Sequence, residues 1–186
     1  MENDKIIFFT AVALWIIQFL LFKDQQRKED HANKDSSLLL LQGGVFLCVF
    51  VSILLSNLST LETESTILRQ FSILLLGFGI MIRYWAYYVM KDYFTRNIHP
   101  HKDRPLLSYG PYRFARHPFH VGIFLITLGL CLFICGHIVA VLIVFPIMGS
   151  ILHYRMALEE QLLSQKYGEI YSGWCRHRFR LFPFLY

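Results

Sequence analysis

A chain of 186 residues that is 55% hydrophobic and only 17% charged has too few polar side chains to wrap a soluble core of ordinary size. Its apolar residues fall in runs of the length a bilayer demands of a helix, so the composition predicts one all-α integral membrane domain over 1–186. The net charge of +5 needs no nucleic acid to explain it, because the headgroups of anionic membrane lipids are sufficient partners.

Five spans are predicted, at about 6–22, 38–58, 67–90, 119–135 and 137–154. The first lacks a basic leader and a small-residue cleavage site, and it runs straight into the charged stretch 23–35. It therefore reads as a span and not as a signal peptide. Basic residues orient the bundle. Lys23, Arg27, Lys28 and Lys34 follow the first span, Lys91, Arg96, Lys102, Arg104, Arg113 and Arg116 follow the third, and Arg155, Lys166, Arg176, Arg178 and Arg180 follow the fifth. With five spans these share one side, which leaves Lys5 on the other. The positive-inside rule then puts the N-terminus outside, with loop 91–118 and the segment 155–186 in the cytoplasm. No transit peptide is visible, and the expected host is the plasma membrane or the endoplasmic reticulum membrane.

Between the spans, 59–66 is a polar outer turn. Of four cysteines, Cys48, Cys131 and Cys135 lie within spans and Cys175 lies beyond them, so no disulfide framework is implied. Cys131 and Cys135 share a helix face but have no His or carboxylate beside them, which favours core packing over metal binding. Arg83, inside the third span near its cytoplasmic end, either snorkels to the interface or meets the polar head of a ligand. Tyr84, Trp85, Tyr87 and Tyr88 beside it form an interfacial aromatic belt. Loop 91–118 is long enough to carry function, and Tyr93, Phe94, Tyr109, Tyr112 and Phe114 make it an ordered, membrane-hugging loop.

Two polar patches stand out. One is Gly110-Pro-Tyr-Arg-Phe-Ala-Arg-His-Pro118, at the start of the fourth span. The other is Arg155 with Glu159 and Glu160, at the end of the fifth, where Arg155 and Glu159 are four apart on one helix face. Gly136 predicts a tight antiparallel hairpin between these spans. The start of one then lies beside the end of the other, and the patches converge as a site requires.

These patches, together with Gly122, Gly129, Tyr167-Gly168, Tyr171 and Arg180-Leu-Phe-Pro183, resemble the isoprenylcysteine carboxyl methyltransferase family. Its wider relatives include membrane phospholipid N-methyltransferases. The resemblance covers about 99–186, and the first three spans resemble the family only in kind. It implies S-adenosylmethionine as cofactor, in a cytoplasmic pocket formed by the last two spans, the 91–118 loop and the C-terminal tail. The cofactor-binding residues it implies are Tyr112, Arg116, His117, Pro118, Gly122, Glu159, Glu160 and Arg180. A lipophilic or lipidated acceptor enters laterally from the lipid.

Methyl transfer needs alignment of two reactants and exclusion of water, and no metal. An arginine, or the backbone N–H groups opening the fourth span, suits the cofactor carboxylate. Glu159 or Glu160 suits its ammonium or ribose. Arg155, Glu159 and His120 are the catalytic candidates, and Arg83 and Arg155 the candidates for holding the acceptor. The family usually has tyrosine where this chain has His120. That histidine either packs or accepts a proton from an amine, phenol or thiol acceptor; a carboxylate acceptor needs no base. Two other readings remain open. The run from Trp174 through Arg178 and Arg180 to Tyr186 also resembles the end of NADPH-dependent sterol reductases, and a non-enzymatic small membrane protein is the third reading. The basic asymmetry makes a direct prediction: cysteine substituted at Ser59 labels from outside and at Lys102 from inside, and the reverse pattern overturns the topology.

Overall fold

The computed structural model describes residues 2–21, 36–58, 66–94 and 105–181. The charged stretch 23–35, the polar turn up to residue 65, loop residues 95–104 with Lys102, and Pro183 lie outside the described residues. The described chain forms helices α1 (Glu2–Leu21), α2 (Ser36–Leu58), α3 (Thr66–Met90), α4 (Pro118–Cys135) and α5 (Val139–Tyr167), followed by a short α6 (Glu169–Cys175). Helices α2 to α5 are long and apolar enough to cross a membrane, whereas the apolar stretch of α1 is shorter, Lys5–Gln18. Large apolar side chains such as Phe9, Phe46, Leu74 and Leu142 point outward, as contact with lipid requires.

Helix α5 runs on to Tyr167, well beyond the expected end of the fifth span at 154. Polarity rises at Arg155, but Met156 and Leu163 on the same helix are still buried, so packing carries the helix past the change in composition. Arg155, Glu159 and Glu160 consequently ride on one rigid rod with the span. Helices α4 and α5 are joined through Gly136, whose φ of 65° is left-handed and whose N–H caps the Leu132 carbonyl at 2.9 Å. Glycine suits that turn because it carries no Cβ penalty there.

The closest helix pair is α3 with α4. A Cβ added at Gly129 would lie 2.7 Å from the Ser72 carbonyl oxygen, and one at Gly79 would lie 2.8 Å from the Gly122 carbonyl oxygen. Small residues here let two backbones touch, which is how helices gain packing energy inside a membrane. A second interface joins α2, α4 and α5 around Cys48, Cys131, Met148 and Leu152. Both cysteines are free and fully buried, in line with the packing expected of them. Helix α1 leans on α3 and α4: the Gln18 amide donates to the Ile80 carbonyl at 2.9 Å, and the Phe8 and Phe133 rings stack at 3.8 Å. Arg69 also sits at this end, its guanidinium 6.0 Å from the Phe133 ring centroid. It therefore joins Lys5 at an end where the sequence reading places Lys5 alone.

The α3–α4 seam yields a stability contrast. Gly129→Val meets backbone that cannot yield and is expected to cost about 1–3 kcal/mol. Gly149→Ala has nothing within 4 Å of its new Cβ and should be neutral or stabilising by up to about 1 kcal/mol. Denaturation in detergent measures both, and equal effects would remove the seam as the determinant of packing.

Candidate active site

Ahead of α4 the chain makes a tight turn, Gly110–Arg113, in which the Pro111 carbonyl accepts the N–H groups of Phe114 and Ala115 at 3.2 and 3.1 Å. Pro118 occupies the first turn of α4, where its missing N–H costs nothing. This turn aims Arg116 and His117 at α5. The His117 ring lies between two carboxylates, with Nδ1 3.4 Å from Glu159 and Nε2 3.2 Å from Glu160. Glu160 also receives Arg116 at 3.3 Å and Arg180 at 3.0 Å. The two patches expected to converge therefore do so through ion pairs, and the tail joins them.

The tail is clamped onto the turn by contacts that sequence reasoning missed. Ala115 and Phe179 form a short parallel bridge, with Arg116 N–H donating to the Phe179 carbonyl at 2.9 Å. The Arg178 side chain donates to the carbonyls of Tyr112, at 2.8 Å, and Trp174, and it stacks over the Trp174 ring. The Trp174 indole in turn donates to the Leu107 carbonyl at 3.0 Å. Single-residue chemistry gives no sign of such backbone contacts. Tyr171, present in the family-like motif, has its hydroxyl buried with no hydrogen-bond partner among the described residues. Burial, followed by the negative charge of Glu160, raises its pKa and keeps the phenol protonated.

A cavity of about 680 Å³ starts at this cluster and runs between the helices. At its charged end Arg83, Arg116, His117, His120, Arg155 and Glu159 line the wall. Arg155 is buried and donates to the Ser37 hydroxyl at 2.7 Å, which ties α5 to the start of α2. Arg83 does not snorkel. It is 5% exposed and its guanidinium lies 4.5 Å over the Phe119 ring. Gly122 is not part of the lining; a Cβ there would lie 2.3 Å from the Arg83 Cγ, so its place is to let the Arg83 stem pass. Tyr112 is buried in the lining and turns its hydroxyl toward the Met90 sulfur at 3.8 Å. His120 sits 5.5 Å from His117, ring to ring. Among the described residues, His117, His120 and Glu159 bring ligand-type atoms within 4.8 Å of one another, a grouping the sequence spacing did not suggest. Both nitrogens of His117 face carboxylates.

Four helices long and apolar enough to cross a membrane, which with α1 surround a chamber that carries buried ionisable groups at one end, mark an integral membrane protein. The model of the isoprenylcysteine carboxyl methyltransferase family matches residues 72–165, half of the chain; the protein belongs to that family and is a membrane methyltransferase. The match takes in α3, beyond the region where the sequence motifs resemble the family, and it stops before the tail. Family membership decides against the reductase and non-enzymatic readings. A search of curated proteins returned no match.

The His117 cluster has a signed pH dependence. Burial disfavours the imidazolium, but the charge and hydrogen bonds of Glu159 and Glu160 outweigh it, so His117 titrates above its ordinary value of 6.5. A raised folded pKa contributes stability that is full below the unfolded value and disappears as pH climbs through the folded one. The melting-temperature gap between the wild type and His117→Gln should be widest below about pH 6 and narrow toward alkaline pH. A gap that widens with rising pH would contradict the ion-pair account.

Proposed function

We propose that the protein transfers a methyl group from S-adenosylmethionine to a lipophilic acceptor held in the bilayer, at a site on the cytoplasmic face. The observation that carries this reading is the joining of an ion cluster of both signs to an apolar cavity. Arg116 and Arg180 offer donors for a carboxylate, and Glu159 and Glu160 offer acceptors for an ammonium or ribose hydroxyls. This donor set fits the cofactor's mixture of groups, which supplies an electrophilic methyl carbon when bound.

Arg83 and Arg155 approach the chamber from α3 and α5, and they orient the acceptor's polar head by charge. Both are buried, and a cation in a dry wall attracts an anionic group far more strongly than one in water. The clamped tail packs over the cluster and leaves Arg180 and Glu160 only 13% and 17% exposed, which limits the access of water to the transferred group. His120 lines the chamber beside His117, where it faces the acceptor's polar head. The family's name suggests a carboxylate on a prenylated cysteine, for which Arg155 alone is enough.

Calorimetry with S-adenosylhomocysteine tests the cofactor site. His117→Ala and Glu160→Ala should each weaken binding at least about tenfold, near 1.4 kcal/mol. Wild-type affinity in both variants would remove these residues from the site. With an acceptor in hand, Arg155→Lys should lower kcat more than it raises KM, because a point charge replaces a bidentate fork.

A further inference from the structure

His117 and His120 stand one turn apart where α4 begins, and the His120 N–H donates to the His117 carbonyl at 3.0 Å. Side chains three apart on such a turn share a face, and Glu159 on α5 lies across from it. Each of the three residues offers one ligand-type atom, and these atoms lie within 4.8 Å of one another. Both histidines are buried, at 4% and 8% exposure, and all three residues line the cavity. Two imidazoles and a carboxylate in the wall of a chamber are the donor set of an open zinc site, with three protein ligands and a fourth position left free.

Donors held about 2.0–2.1 Å from a tetrahedral zinc ion stand roughly 3.4 Å from each other. His117 Nδ1 lies 3.4 Å from the Glu159 carboxylate, so one edge of that tetrahedron is already in place. A nitrogen of His120 lies within 4.8 Å of a ligand atom on each partner. Rotation of its ring about a broad second torsion closes the difference.

The outer partner of a metal-bound histidine is present as well. Glu160 receives Arg116 at 3.3 Å and Arg180 at 3.0 Å, so it is an anionic acceptor, and His117 Nε2 donates to it across 3.2 Å. This fixes the tautomer whose Nδ1 lone pair faces Glu159, the carboxylate–histidine–metal arrangement that orients a ligating imidazole. Two electron-rich atoms this close in a buried wall repel each other unless a positive species lies between them. A proton on Nδ1 meets that need, and a divalent ion meets it while drawing in His120. Glu159 and Glu160 supply the negative charge that such an ion needs beside Arg83 and Arg155.

We propose that His117, His120 and Glu159 form a site for a divalent transition-metal ion, zinc by its donor set, with the fourth coordination position open to the cavity. The site goes beyond the methyl-transfer reading and does not rest on it. Zinc there engages the Glu159 carboxylate that the cofactor reading gives to an ammonium or ribose group, so ion and nucleoside exclude each other.

The test uses the tag-free, full-length protein in detergent, stripped with a chelator and titrated with zinc against a fluorescent indicator. The wild type should take up one equivalent, and His120→Tyr and Glu159→Gln should each weaken that uptake at least about tenfold. His177→Ala, at an exposed histidine of the tail, should leave it unchanged. Absence of uptake by the wild type overturns the proposal. Wild-type affinity in either ligand variant, or a loss in His177→Ala, marks an adventitious ion only and overturns it too. Cobalt in place of zinc gives a reading that needs no variant. Intense four-coordinate ligand-field bands without thiolate charge transfer support the site, whereas pale six-coordinate bands or a thiolate band count against it decisively. S-adenosylhomocysteine binding, measured with and without zinc, reports the cofactor reading separately. Zinc uptake that leaves nucleoside binding untouched keeps the metal site and removes Glu159 from the cofactor pocket, while zinc uptake without any nucleoside binding removes the cofactor reading alone.

Discussion

Charge held at a membrane boundary has to be neutralised by another part of the same chain, and the remaining architecture of this protein follows from that constraint. His117 caps the start of α4 and meets Glu159 and Glu160 on α5 at 3.4 and 3.2 Å. Glu160 draws in Arg116 and Arg180 as well. Four sequence regions, the Gly110 turn, α4, α5 and the tail, are thereby held at one point. Removing one partner from such a network leaves the others buried with uncompensated charge, which costs far more than the pair gains over an apolar substitute.

Helix packing supplies what ion pairing cannot. The glycines between α3 and α4 bring two backbones into contact, and the same close approach sends the Arg83 side chain past Gly122 and into the chamber. Arg83 is therefore a consequence of the seam as much as of its own charge. Arg155 depends similarly on Ser37, a residue 118 positions away. Both cations reach the cavity only because small partners yield space or a hydroxyl at the right place.

The division of the cavity follows its physics. At one end the lining carries groups of both signs, Arg83, Arg116, Arg155 and Glu159, and along the rest it is apolar. The methyl transfer proposed above brings a polar cofactor and an apolar acceptor together where water does not reach. A polar chamber that opens along an apolar channel joins the two environments directly.

Much of this was legible in the residues themselves. Long apolar runs favour helices in a bilayer, because the backbone must satisfy itself there, so the helical character of α2 to α5 and the hairpin at Gly136 follow from local composition. The Arg116-His117-Pro118 and Glu159-Glu160 patches were recognisable because charged residues beside apolar spans are conspicuous. The tertiary structure decided what depends on register between distant helices. That includes the burial of Arg83 under the cover of Phe119, the packing place of Gly122, the Arg178 and Trp174 clamp, and the continuation of α5 to Tyr167. Sequence patterns report which face of a helix is apolar, but not which residue on another helix stands opposite it. Opposition is set by packing between side chains far apart in the chain, and it becomes visible only once the helices are assembled.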